Sequence, residues 1–244
     1  SILKQTFKNY EIIFFDNQST DRSKEIIKNY KDRRIRYFFS KKFLKLYAAR
    51  NKALKKCKGT YVCFCDTDDL WKKNKLSYQI AFMRKNNSLI SYTNFIIKNE
   101  KKNLDYLVFK NLPSGFITQK LLDSYCIGIM TVMINRKLLL LNKFNSKYNI
   151  IGDFDLFLRL SLNNKFSAIQ KPLAYYRVHD GSVSSTKLRM YYREYLMWLK
   201  DNIKLSRKFS IRGVRISILK LKIKFILSFI LKFFKIITGR VVQW

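Results

Sequence analysis

The chain has 244 residues, 48% of them apolar, and carries 50 Lys and Arg against 16 Asp and Glu, for a formal net charge of +34. That is room for one sizeable domain with a true core plus an appendage, and the charge favours anionic partners such as phosphorylated substrates, nucleic acid or anionic membrane surfaces. Four cysteines (Cys57, Cys63, Cys65 and Cys126) are too few here for a disulfide framework, and a single histidine leaves them without the partners of a zinc site.

In chain order, the opening SILKQTFKNY reads as the end of an amphipathic helix, and nothing there reads as a signal peptide. With the missing disulfide pattern, this points to a reducing, cytosolic setting. EIIFF (11–15) is a β-rich run, followed by the turn formers DNQSTD and a helix expected to start between residues 19 and 23 with Ser and Asp caps. IRYFF (35–39) is a second strand, residues 46–57 a helix ended by Gly59, and YVCFC (61–65) a third strand, apolar throughout. Cys63 and Cys65 alternate along it and point to one face, toward the core. The alternation predicts an α/β domain, a Rossmann-like, largely parallel sheet flanked by helices.

Residues 88–97 read as another strand or strand pair, 104–140 as mixed loop and helix, and 153–162 as a helix with acids in its first turn. Residues 167–178 end in a strand, and HDGSVS follows as a loop. From residue 187 the composition becomes strongly basic, which divides a domain at 1–186 from a helical tail at 187–244.

CFCDTDDLW places Asp66, Asp68 and Asp69 in four residues of an acid-poor chain, just past a buried strand. Like charges that close repel, and a hard divalent cation such as Mg or Mn would relieve them. A solvated turn or a helix cap at Asp69 is the simpler reading. Asp153 and Asp155 could cap their helix, or one could act as a general base. His179 lies near Arg177 with Ser182 and Ser184 behind it, a set able to embrace a diphosphate or complete a metal shell, or merely structural. Both acidic turns follow strand C-termini, where open α/β sheets bind ligands.

EIIFFDNQSTDRS, LYAARNKALKKCKGTYVCFCDTDDLWKKNKL, IGDFDLFLRL and YYRVHDGSVS, in that order, resemble the family 2 glycosyltransferases of GT-A fold over residues 1–184. The resemblance implies metal-dependent transfer of a sugar from a nucleotide donor in one inverting displacement. It implies that Asp16 and Asn17 contact the base or ribose, that Arg50 approaches the nucleotide, and that Asp66 and Asp68 occupy the DxD positions, Asp68 and Asp69 being metal candidates. It implies Asp153 as catalytic base with Asp155 supporting it, and Arg177 and His179 in the loop that closes over the diphosphate, His179 completing the metal shell. One departure is that the family's first strand, which ends in a Pro-Thr-Tyr-Asn-like turn and lines the nucleotide pocket, is missing ahead of SILKQTF. The chain therefore reads as truncated.

In ISILKLKIKFILSFILKFFKII, Ser217, Lys220, Lys224, Ser228, Lys232 and Lys235 recur at helical steps as one polar stripe, opposite Ile, Leu and Phe. Its longest uncharged run is seven residues, 225–231, too short to span a bilayer. An interfacial helix on an anionic membrane surface is expected, or a helix packed on the catalytic domain. Docking on the inner face of the cytoplasmic membrane suits a glycan or lipid-linked acceptor. A nucleic-acid-binding protein and an inactive, truncated glycosyltransferase-like domain stand as alternatives. The first leaves the strand-end acids unexplained, and no specific nucleic acid is expected as a partner.

Overall fold

A computed structural model of the chain describes residues 1–99, 104–178 and 188–237, with side chains of the last helix described to residue 227. These residues form two compact units: residues 1–99, 104–121 and 125–178, and residues 122–124 with 188–237.

In the first unit β1 (Ile12–Asp16), α1 (Ser23–Asn29), β2 (Ile35–Phe39), α2 (Leu46–Leu54) and β3 (Tyr61–Cys63) follow the expected alternation. β4 (Leu70–Trp71), α3 (Lys75–Lys85), β5 (Ile90–Asn99), β6 (Leu104–Leu107), α4 (Thr118–Asp123), β7 (Met133–Asn135), α5 (Arg136–Leu141), α6 (Gly152–Ser161) and β8 (Ser167–Val178) complete the order. β1 and β2 pair parallel as a two-stranded sheet, and the other strands run β3-β7-β5-β8-β4 with β6 beside β5. Only β5–β8 is parallel in the larger sheet, so the α/β architecture is mixed rather than largely parallel. The difference comes from β4, β6 and β7, short strands inside stretches that read as turn, loop or helix.

β3 and β4 stand at opposite ends of that strand order yet are joined by residues 64–69 alone. Four strand spacings laid flat would separate them by about 19 Å. The connection spends its reach on a turn in which the Asp69 N–H donates to the Asp66 carbonyl at 3.0 Å. The sheet therefore curls, and the acidic turn bridges its two ends. Pro172 of β8, which lacks an N–H, faces Asn94 where the β5–β8 register shifts, the position in a sheet that tolerates proline.

The core holds Met83, Ile90, Tyr92, Met133, Ile134, Leu156, Phe157 and Leu173, each nearly inaccessible. Cys63 and Cys65 pack against it as expected, and all four cysteines are free thiols.

Two local readings need correction. No side chain caps α1 at its N-cap Arg22; the Asp21 carboxylate accepts the Ser23 N–H one step earlier. Residues 1–10 hold no helix. An irregular backbone there lets the buried Gln5 side chain donate to the Lys72 carbonyl at 2.9 Å and accept the Leu76 N–H at 3.0 Å, in the first turn of α3.

In the second unit α7 (Leu188–Asp201) is followed by α8 (Arg212–Ile237). α8 buries Val214 and Ile218, and α7 buries Tyr195 and Trp198. A side chain at Gly213 would meet the Leu122 carbonyl oxygen at 2.3 Å, so glycine lets α8 begin against residues 122 and 123 of its own unit.

Gln5→Ala should lower the unfolding free energy by about 1–3 kcal/mol, because the Leu76 N–H and the Lys72 carbonyl both lose a buried partner. Urea unfolding measures this, and an unchanged midpoint would show that the first ten residues do not anchor α3.

Candidate active site

α2 is pinned to the segment ahead of α6 by groups that leave little freedom. Asn149 accepts the Leu46 N–H at 2.9 Å, and the Asn51 amide pairs in both directions with the backbone of Phe144, at 2.8 and 3.0 Å. The Tyr47 ring lies 5.2 Å from that of Phe144. α2 therefore presents Tyr47 and Arg50, neighbours at i,i+3, toward the first turn of α6.

Asp153 sits in that turn. Tyr47 Oη lies 2.9 Å from its Oδ1 and 2.8 Å from the Ile150 carbonyl, and Tyr125 donates to Oδ2 at 3.0 Å. Part of the residue remains open to solvent, but burial pushes its carboxyl above the usual range, and Arg50, Tyr47 and Tyr125 pull it back only partly. Arg50 in turn lies 5.2 Å over the Tyr47 ring and pairs with Asp66 at 2.5 Å. Its side chain is 12% exposed and that of Asp66 44%, so the arginine is fixed while the carboxylate stays open.

Asp69 closes the turn that begins at Asp66. Its residue is buried, its Oδ1 has no hydrogen-bond partner among the described residues, and desolvation with repulsion from Asp66 and Asp68 pushes its carboxyl up to about 7. The Arg177 Nε of β8 donates to the Asp68 carbonyl, which fixes the turn against the strand beside it. Asp66, Asp68, Asp69, Arg177, Arg50 and Asp153 thus form one connected set.

Asp16 is buried at the end of β1, where burial pushes its carboxyl up and hydrogen bonds from Tyr37 (2.6 Å) and the Ser19 N–H (2.8 Å) outweigh it, holding it below the usual range. Burial and Asp16 together push Tyr37 up to about 12. The Asn17 amide is used in both directions on the Leu44 backbone, at 2.8 and 3.1 Å.

The profile of the family described as Glycosyl transferase family 2 matches residues 1–162. The chain belongs to that family. Two Escherichia coli enzymes named UDP-Glc:alpha-D-GlcNAc-diphosphoundecaprenol beta-1,3-glucosyltransferase, WfgD and WfaP, are 34% and 37% identical to this family 2 chain over 197 and 198 residues. Each match covers 80% of this chain and 76% of the relative. Among solved structures, S. aureus TarS 1-349 in complex with UDP-GlcNAc shares the fold with a TM-score of 0.64 at 20% identity. It is covered to 60% of its length, and this chain to 81%.

Within this glycosyltransferase, the sequence-expected residues have separate surroundings. Asp153 is bonded by the phenols of Tyr47 and Tyr125 and has a raised carboxyl. Asp155 is turned away: it is buried, its Oδ2 pairs with Arg159 Nε at 3.0 Å, and Arg159 reaches the Lys143 carbonyl at 2.9 Å. The described side-chain hydrogen bonds of Asp16 go to its own loop and to β2, and those of Asn17 to Leu44 in the segment between β2 and α2. His179 lies outside the described residues. Tyr47, Tyr125 and Tyr37 escape sequence reasoning. Only Tyr47 left a signal, its helical spacing of three from Arg50.

Asp155→Asn should destabilise the fold by about 1–3 kcal/mol, less than a fully buried pair because the Arg159 side chain is 35% exposed. Thermal unfolding checks this, with donor binding expected to survive. A variant of wild-type stability that fails to turn over would instead place Asp155 in the chemistry.

Proposed function

We propose that the chain transfers a sugar from a nucleotide-diphosphate donor to a hydroxyl of a glycan or lipid-linked acceptor, with inversion, and that Asp153 is the general base. The observation that carries this is the Asp153 carboxylate, raised by burial, held by two phenols and linked through Arg50 to Asp66. The names of the relatives support the substrate class: WfgD and WfaP are named for UDP-Glc and a diphosphoundecaprenol-linked GlcNAc, and Bacillus subtilis TuaG for teichuronic acid biosynthesis. Acids clustered at the strand ends would repel a phosphate backbone, which weighs against nucleic acid as the partner.

In this reading Asp153 takes the proton of the acceptor hydroxyl as that oxygen bonds the anomeric carbon from the face opposite the leaving group. The carbon–oxygen bond to the diphosphate breaks, and its electron pair leaves with the nucleotide. Asp16 and Asn17 hold the base or ribose, Arg50 and Asp66 orient the donor, and Arg177 meets the diphosphate charge. Among the described residues no three His, Cys, Asp or Glu side chains gather into a full metal shell. The orphaned, buried Asp69 Oδ1 beside two further carboxylates nevertheless suits a hard divalent ion. Asp68 and Asp69, with His179, would hold Mg or Mn, which when bound neutralises the departing diphosphate.

Asp153→Asn should lower kcat by roughly 10²- to 10⁴-fold while donor binding persists, since a base acts in the chemical step. Asp69→Ala should instead weaken metal-dependent donor binding. Near-normal turnover of Asp153→Asn would place the base elsewhere.

The same proposal puts the protein peripherally on the cytoplasmic face of the membrane. No described helix is long and apolar enough to cross a bilayer. α8 exposes Ile216, Leu219, Ile223, Ile226 and Leu227 together with Lys220, Lys222 and Lys224, which supports an interfacial helix. Removing residues 214–244 should release the protein from anionic vesicles, and added salt should weaken binding of the full chain without abolishing it. Equal binding with and without the tail would refute membrane docking through α8.

A further inference from the structure

We propose that Tyr47 and Tyr125 are positioning residues for Asp153, and that Gly152 is a glycine so that the Tyr47 ring can reach it. The inference rests on the reading of Asp153 as the base.

The geometry is specific. A β-carbon at Gly152 would lie 2.4 Å from the Tyr47 ring, a distance real β-carbons do not show, so the ring lies directly on the backbone one residue before the base. The ring itself is held: it is 2% exposed, tilted by 31° against the Phe144 ring and covered by the Arg50 guanidinium. Its hydroxyl therefore reaches Asp153 Oδ1 and the Ile150 carbonyl with no torsional freedom to spare. From the other side Tyr125, edge-on to Phe154 with ring centroids 5.4 Å apart, donates to Oδ2. A carboxylate gripped at both oxygens cannot rotate, so its remaining lone pairs are aimed before any acceptor arrives.

The grip also has an electrostatic effect. Burial favours the neutral form of Asp153, and a base that holds its proton cannot work. The groups that oppose this are Arg50 and Tyr47 on α2, the Phe154 N–H on α6, and Tyr125. Asp155, the other acid of that helix turn, is directed to Arg159. Each phenol stabilises the ionised carboxylate, so removing either hydroxyl should make Asp153 easier to protonate.

The test is kcat/KM for the acceptor as a function of pH at saturating donor, for the whole chain and for Tyr47→Phe and Tyr125→Phe. Each variant keeps the ring and loses only the hydroxyl. The acid limb should move to higher pH by about one unit in each, as expected for losing a hydrogen bond to a charged group. The KM for donor should stay within about twofold, because neither phenol is placed against the nucleotide. Gly152→Ala should lower kcat more than Tyr47→Phe, since it displaces the ring as well. Unmoved acid limbs in both phenylalanine variants would overturn the proposal, even if their melting temperatures fell. If only one of them folds, its limb decides alone. Asp153→Asn separates the two ideas. Turnover near wild type in that variant means the base reading has failed, whereas a dead Asp153→Asn beside unmoved limbs means only the positioning has.

Discussion

Asp153 is crowded enough that burial favours its neutral form, and the partners around it reverse that only in part. The arrangement of the site follows from supplying those partners. Tyr47 must lie on α2, α2 must be clamped to the segment before α6, and Gly152 must offer its backbone to a ring. Arg50, one helical turn after Tyr47, then falls between the base and the acidic turn and pairs with Asp66. Asp153 and Asp66, the base and the donor-binding carboxylate of the proposed reaction, are thus held in register by two residues of one helix.

The acidic turn is governed by the opposite tension. Its position is set by the curl of the sheet, because residues 64–69 must join strands at the two ends of the strand order. That forces Asp66, Asp68 and Asp69 together and buries one oxygen of Asp69 with no partner among the described residues. At Asp153 nearby donors offset the cost of burying charge. At Asp69 Arg177 offsets it less, and among the described residues Oδ1 finds no partner, which is the opening that the proposed cation would fill.

Much of this was legible in the sequence, for reasons that can be named. β1, β2 and α2 have composition and periodicity that agree with their final state, and the acids after YVCFC stand out against a basic background. The residues that read as loop or helix between 104 and 140 hide β6 and β7. A strand of three or four residues gains its stability from pairing with β5, and no local pattern announces it. The opening segment misled because its spacing suits a helix, while Gln5 is more strongly satisfied by the backbone near α3. The resemblance implied Asp155 as a supporting acid for Asp153, yet alternate residues of a helix diverge by about 200° around the axis, and Asp155 is buried against Arg159. Tyr125 carried no signal, since its approach to Asp153 depends on how the segment after α4 returns to α6.

The central claim is that Asp153 faces the reacting carbon from the side opposite the leaving group. The most direct measurement is a crystal structure of the protein with an intact donor analogue, Mn and an acceptor fragment. The account expects a carboxylate oxygen of Asp153, still bonded to Tyr47 and Tyr125, within hydrogen-bond reach of the acceptor hydroxyl, with the diphosphate on the far side of the sugar at Asp68 and Asp69. A different carboxylate on the acceptor hydroxyl, or Asp153 on the diphosphate side, would contradict it.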